Sequence, residues 1–228
     1  MGVVARAESE RGEVVLRRRV ECGALELRVN GVFVMDDRET STERLLARTT
    51  IEALASRAGD TESWRVMVGG LGLGYTLAEL LTEPRVASVL VAEIEPDLVG
   101  WHHEGLVPGS PLVGDAADRV EVSVGDVRDV VAGLPQGSVD LILLDVDNGP
   151  DFLVYDANAA VYQPPFLIAC RDALAPDGLV AIWSADSSPA LTANLETVFG
   201  STRELALPVT LQTRLTTYHL FLALPVEP

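Results

Sequence analysis

Residues 66–80 read VMVGGLGLGYTLAEL. A short apolar run leads into four glycines within positions 69–74, and an apolar-periodic segment follows. The first part has the pattern of a buried strand and the last that of a helix, so the glycines occupy the turn between them. Glycine weakens regular structure and is favoured where φ must be positive or where another group comes close to the backbone. A ligand is one such group, and a tight turn is the plainer alternative. The flanking sequence decides which reading has support.

Outward from this stretch, short apolar runs alternate with helix-like segments. Strands are expected at 65–68, 89–93, 120–124, 141–145 and 179–183, with helices starting near Tyr75, Pro96, Val127 and Ala160. A further helix is expected over 189–199 and a closing strand over 216–224. Buried β-branched runs separated by helices predict an α/β fold, a mostly parallel, doubly wound, Rossmann-like sheet covered on both faces. Upstream, residues 13–35 alternate apolar and polar positions around Cys22-Gly23 and Asn30-Gly31, which predicts two or three antiparallel strands with an Asn-Gly hairpin. Residues 40–57 have a Ser/Thr cap and helical spacing of Leu45, Leu46, Ile51 and Leu54. The sequence therefore divides into a small N-terminal β region with its helix, 11–58, and a ligand-binding domain, 60–225, joined by the linker-like AGDTES at 58–63.

Composition narrows the chemistry. The net charge is −17, and all 17 basic residues are arginine, because the chain contains no lysine. Schiff-base chemistry and a Walker-type phosphate lysine are excluded. An acidic surface repels a phosphate backbone, so no nucleic acid partner is expected, while a small cationic molecule is attracted. No stretch reaches the roughly 18 apolar residues of a membrane span. The N-terminal MGVVARAESERGE has no secretory apolar region, so no membrane association and a cytoplasmic location are expected. Cys22 and Cys170 form no CxxC pair and read as reduced residues. His102 and His103 are adjacent on a helix, do not face one another, and suggest no metal site.

Ligands of parallel sheets bind beyond the carboxyl ends of the strands. The first strand ends in the glycine loop, with Gly70, Gly72 and Gly74, and the second at Glu93-Ile94, where a carboxylate can accept hydrogen bonds from both ribose hydroxyls. The third ends at Asp126-Val127, placed to meet an adenine edge, and the fourth at Asp145, with Asp147 and Asp151 beyond it. Two carboxylates about 4 Å apart repel by roughly 4 kcal/mol at an effective dielectric near 20, so this acidic rim disfavours a pyrophosphate. A nucleoside carrying positive charge fits better: the sulfonium of S-adenosylmethionine or of decarboxylated S-adenosylmethionine.

From about Asn30 to Ser187 the chain resembles the spermidine synthase (polyamine aminopropyltransferase) family, which has the class I methyltransferase fold. The glycine stretch resembles its GGGDGG loop, VAEIEPDLV its VEID strand end and VGDV its GDA turn. LLDVDNGP, VYQPPFL and LAPDGLVAIWS resemble its DxxDPxGP, FY and LxPGG segments, in the same order. The resemblance implies that Gly70, Gly72, Gly74, Glu93 and Asp126 hold the nucleoside, with Ile94 and Val127 beside them. It implies Asp145 as the acid that helps deprotonate the attacking amine, and Tyr75, Asp147 and Tyr162 on the acceptor side. It also implies a small cationic amine as acceptor and leaves room for a homodimer.

Departures accompany these matches. Leu73 stands where the loop carries aspartate, Tyr75 where glycine is usual, and Asn148 where proline precedes the GP step. The family's tyrosine-histidine pair has no counterpart in TERLLARTT. Aminopropyl transfer to an amine is the leading expectation. A methyltransferase using S-adenosylmethionine and a non-catalytic nucleoside-binding homologue are the alternatives.

Overall fold

Alternation near the N-terminus builds a four-stranded antiparallel sheet, ordered β1-β2-β3-β4: β1 (Gly2–Ser9), β2 (Gly12–Arg18), β3 (Leu25–Val29) and β4 (Val32–Asp36). The computed structural model describes residues 2–57, 59, 63–146, 148–151, 153, 155–211 and 214–225. Asn30 and Gly31 both have positive φ, 51° and 76°, as a two-residue hairpin turn requires. The Asn30 side chain also accepts from the Glu13 N–H at 2.9 Å and donates to the Arg11 carbonyl at 3.1 Å, which clamps the neighbouring β1–β2 turn. β1 lies outside the 13–35 stretch expected to be extended; it is a largely exposed edge strand and carries little periodic apolar signal.

Helix α1 (Ser41–Ala55) buries Leu46, Ala47 and Leu54. Thr40 makes no side-chain cap bond, and the Glu39 carboxylate instead accepts from the Ser41 N–H at 3.0 Å. The second sheet follows, with β5 (Trp64–Gly69), α2 (Tyr75–Leu80), β6 (Val86–Glu93), α3 (Pro96–His103), β7 (Val120–Val124), α4 (Val127–Ala132) and β8 (Val139–Leu144). It continues through α5 (Pro164–Ala173), β9 (Leu174–Ser184), α6 (Pro189–Phe199), β10 (Gly200–Leu211) and β11 (Arg214–Pro225). The order of the seven strands is β10-β11-β9-β8-β5-β6-β7. β9 through β7 are parallel, while β11 runs antiparallel to β9 and β10 antiparallel to β11.

One core cluster joins α1, α2 and α3 to one face of this sheet through Leu46, Leu77, Leu80 and Val99. Another joins α4, α5 and α6 to the opposite face through Val131, Leu167, Cys170 and Leu195. A third locks the small sheet onto the glycine loop and α3, with Leu16 and Leu27 against Leu73, Leu98 and Trp101. The chain runs from β5 outward to β6 and β7, then returns to lay β8 on the other side of β5. The switch in strand order therefore falls between β5 and β8, where a parallel sheet opens a crevice at its carboxyl edge.

The helix expected near Ala160 is a short 3-10 helix, Asp156–Tyr162, and α5 begins only at Pro164. Proline fits the first helical positions, where its missing N–H costs nothing. Strand β10 was not legible because it is an edge strand with an exposed face, and Pro208 interrupts its pattern. Of the linker at 58–63, only Gly59 and Ser63 fall within the described residues. No helix among the described residues is long and apolar enough to cross a membrane.

Candidate active site

At the carboxyl end of β5 the backbone is pinned from both sides: the Gly69 carbonyl accepts from the Asp145 N–H and the Gly70 N–H donates to the Ala92 carbonyl, each at 2.8 Å. Gly70 has φ +89°, and a Cβ there would lie 2.1 Å from the Asp145 carbonyl oxygen. Its glycine is demanded by the neighbouring strand end. The loop then packs on the small sheet, with the Leu73 N–H 3.2 Å from Met35 Sδ. Gly74 has φ 85° as the cap of α2 and does not line the cleft. His102 is fully buried, and its ring meets the Gly72 carbonyl at 2.9 Å and Ser110 Oγ at 2.8 Å. Burial lowers its pKa, so the neutral ring donates to Gly72 and accepts from Ser110. It is a brace for the loop. Among the described residues no group of three or more His, Cys, Asp or Glu is arranged to hold a metal ion.

The crevice between β5 and β8 is a cleft of about 1000 Å³ counted to its open mouth. Gly70, Gly72, Glu93, Ile94, Asp126, Val127 and Asp145 line it, so the structure brings these seven together as the sequence expected. Besides Gly74, two other expected residues, Tyr75 and Tyr162, stand elsewhere. Tyr75 begins α2 off the cleft, its ring 5.3 Å from the Arg44 guanidinium, and its phenol is pushed up to about 12, chiefly by burial. Tyr162 is packed in the core with α5 and α6, because the 3-10 helix turns it inward. Asp147 lies outside the described residues.

Each cleft acid has its own electrostatic setting. Glu93 is buried at the end of β6, where its Oε2 accepts from the Leu71 N–H and its Oε1 from the Glu95 N–H, both at 2.8 Å. Burial raises its pKa against these bonds. Each of its oxygens can accept one further hydrogen bond, as a vicinal diol would supply. Asp126 caps α4 by accepting from the Arg128 N–H at 2.8 Å and pairs with the same arginine's guanidinium at 2.5 Å, which lowers its pKa. Asp145 accepts from the Thr76 hydroxyl at 2.9 Å and has no ion pair among the described residues. Desolvation outweighs the Thr76 bond and pushes its carboxyl up to about 6.

Sequence patterns missed the other walls of the cleft. Glu43, from the first turn of α1, is buried and lines the cleft; desolvation, then the charge of Asp145, push it up to about 8. Glu95 accepts from Arg11 Nε at 2.9 Å and from the Tyr155 hydroxyl at 3.2 Å, while Arg11 also reaches the Ile94 carbonyl at 2.7 Å. The tip of the β1–β2 hairpin is thereby tied to the end of β6. Val14, Leu27 and Met35 of the small sheet supply an apolar wall, and Trp183 at the end of β9 another. Glu43 reads in the sequence as an ordinary first-turn acid of a helix.

The fold has parallels among solved structures. The chain superposes on the crystal structure of spermidine synthase from Thermotoga maritima with a TM-score of 0.79, at 19% identity, over 97% of this chain and 72% of that one. It is similar to a spermidine synthase in complex with the transition state analogue AdoDATO, with a TM-score of 0.80 at 18% identity over 97% and 73% of the two chains. A probable spermidine synthase from Corynebacterium glutamicum ATCC 13032 matches with a TM-score of 0.70 at 20% identity over 100% and 82%. The chain has the spermidine synthase fold. In that fold, the small antiparallel sheet precedes the seven-stranded one and both border the cleft. No family model matches the sequence, and no curated protein matches it.

Proposed function

We propose that the chain transfers an aminopropyl group from decarboxylated S-adenosylmethionine to an amine acceptor. The observation that supports this most directly is Asp145, a carboxylate without a basic partner among the described residues, in the same cleft as Glu93 and Asp126. Glu93 takes the ribose hydroxyls, with Gly70, Gly72 and Ile94 against the nucleoside and Asp126 and Val127 at the adenine. Asp145 takes a proton from the acceptor ammonium, and the freed lone pair forms a C–N bond to the methylene beside sulfur. The C–S bond breaks with its electron pair left on sulfur, whose positive charge is cancelled, and methylthioadenosine leaves. The product is a secondary ammonium that keeps its two protons, and Asp145 passes the proton it took to solvent.

One observation favours a second reading. Leu73, where the resembled loop has an acid, is buried against the small sheet, so this loop offers no carboxylate to the terminal amine of an aminopropyl donor. A methyltransferase using S-adenosylmethionine needs none. Purified protein incubated with each donor and a panel of amines distinguishes the two: methylthioadenosine formed only with the decarboxylated donor supports aminopropyl transfer. Adenosylhomocysteine formed from S-adenosylmethionine replaces it with the second reading.

A further inference from the structure

Five acids among the described residues line the cleft: Glu43, Glu93, Glu95, Asp126 and Asp145. Three of them already have protein partners. Glu93 accepts from two backbone N–H groups, Glu95 pairs with Arg11, and Asp126 pairs with Arg128. Glu43 and Asp145 have no ion pair among the described residues, and Asp145 Oδ1 accepts no hydrogen bond from any of them. The basic side chain nearest in sequence to Glu43, Arg44, is turned away to Glu79 at 3.1 Å and to the Tyr75 ring.

The two acids come from different elements and line the same cleft, where the charge of Asp145 acts on Glu43. The Thr76 hydroxyl donates to Asp145 Oδ2 at 2.9 Å and lies 3.4 Å from the backbone carbonyl oxygen of Glu43, which brings the first turn of α1 beside the end of β8. Glu43 is only 7% exposed, and among the described residues the side chain that donates to its carboxylate is Thr42, at 3.0 Å. Trp183 lines the same cleft, and its buried indole N–H meets no acceptor among the described residues. Its ring packs on Tyr218 with centroids 4.8 Å apart, and the Tyr218 phenol feels the Glu43 charge. Two desolvated carboxylates with no cation, beside an aromatic wall, cost stability unless a ligand cation compensates them.

We propose that Glu43 is a substrate-binding residue that, with Asp145, seats one ammonium group of the acceptor amine. The proposal rests on the aminopropyl-transfer reading and deepens it. Asp145 removes the proton, while Glu43 attracts the charged amine and orients its nitrogen. With Glu95 and Asp126 paired to arginines and Glu93 turned to backbone donors and the ribose, Glu43 and Asp145 are left to one ammonium group, and the rest of the acceptor lies along the apolar wall. The groups whose charges face Glu43 are Asp145 from the end of β8, Glu39 ahead of α1, Tyr75 on α2 and Tyr218 on β11.

The test compares Glu43→Gln with wild type by steady-state kinetics, using n-butylamine and 1,4-diaminobutane as acceptors at pH 6 and pH 8.5. Glutamine mimics the protonated acid, so KM for the amine is expected to rise at least about tenfold at pH 8.5 and less than about threefold at pH 6. Donor KM and methylthioadenosine affinity are expected to stay within about twofold. Unchanged amine KM at pH 8.5 in an active variant overturns the proposal, as does a rise in donor KM in its place, which assigns Glu43 to the donor's own amine. Glu43→Asp restores part of the affinity if charge is what matters. A wild-type protein that releases no methylthioadenosine with either amine counts against the underlying reading, and the proposal falls with it.

Discussion

Asp145 and Glu43 differ in what their removal does. Asp145→Asn is nearly isosteric and can still accept the Thr76 hydrogen bond, so methylthioadenosine affinity measured by calorimetry is expected to stay within about twofold, while turnover falls by about 10²–10⁴, the usual loss for a positioned base. Retained turnover in that variant rules out the proposed proton transfer. Glu43 also leaves a signature in stability. Its folded pKa, about 8, lies above the ordinary glutamate value, so the native state holds a proton that the unfolded chain has released between about pH 4.5 and 8. The native state binding more protons makes stability fall as pH rises across that window. His102, whose pKa is lowered, acts in the opposite sense near its ordinary value, and Asp145, pushed up to about 6, in the same sense. A comparison of variants cancels both backgrounds: the melting temperature of Glu43→Gln minus that of wild type is expected to be small at pH 5 and to grow toward pH 8. A constant difference across the window means that Glu43 is not held protonated.

At the level of elements, the glycine loop does two jobs that its sequence does not separate. Gly70 is fixed by the β8 backbone, and Gly74 by the start of α2. Gly70→Ala combines a left-handed φ with a collision against an immovable carbonyl, and is expected to cost about 2–4 kcal/mol in chemical denaturation. A cost under about 0.5 kcal/mol means that the strand ends can separate to admit a side chain. The parallel strands were legible because burial on both faces leaves uninterrupted apolar runs, as in Leu141 to Leu144. The acids at their ends were legible because a strand end fixes where a side chain emerges. What stayed hidden arrives from outside that pattern. Glu43 sits on a helix, Arg11 on a hairpin tip and Tyr155 after β8, and only the packing of α1 and the small sheet against the larger one brings them to the cleft. Tyr162 shows the converse, since the 3-10 helix places a motif residue in the core.

Over the whole molecule, the charge of −17 surrounds a cleft whose charged groups without an ion pair, among the described residues, are acidic. Such a field raises the local concentration of a cation and is screened within about 8 Å at physiological ionic strength. The KM for an amine acceptor is therefore expected to rise severalfold between about 20 and 300 mM salt, with kcat nearly constant. A KM independent of salt leaves only the local carboxylates to account for amine capture. Sheet order bears on a different stage of the protein's life. Among the described strands, β10 pairs with β11 alone, and β11 connects it to β9. A ribosome emits β10 first, so this strand has no place in the sheet until residues 214–225 have followed it out. During that interval an amphipathic, unpaired edge is open to any other extended chain nearby, and Pro208, which cannot donate to a foreign ladder, stands in the middle of it. The residue that obscured this strand in the sequence is also a safeguard for the nascent chain.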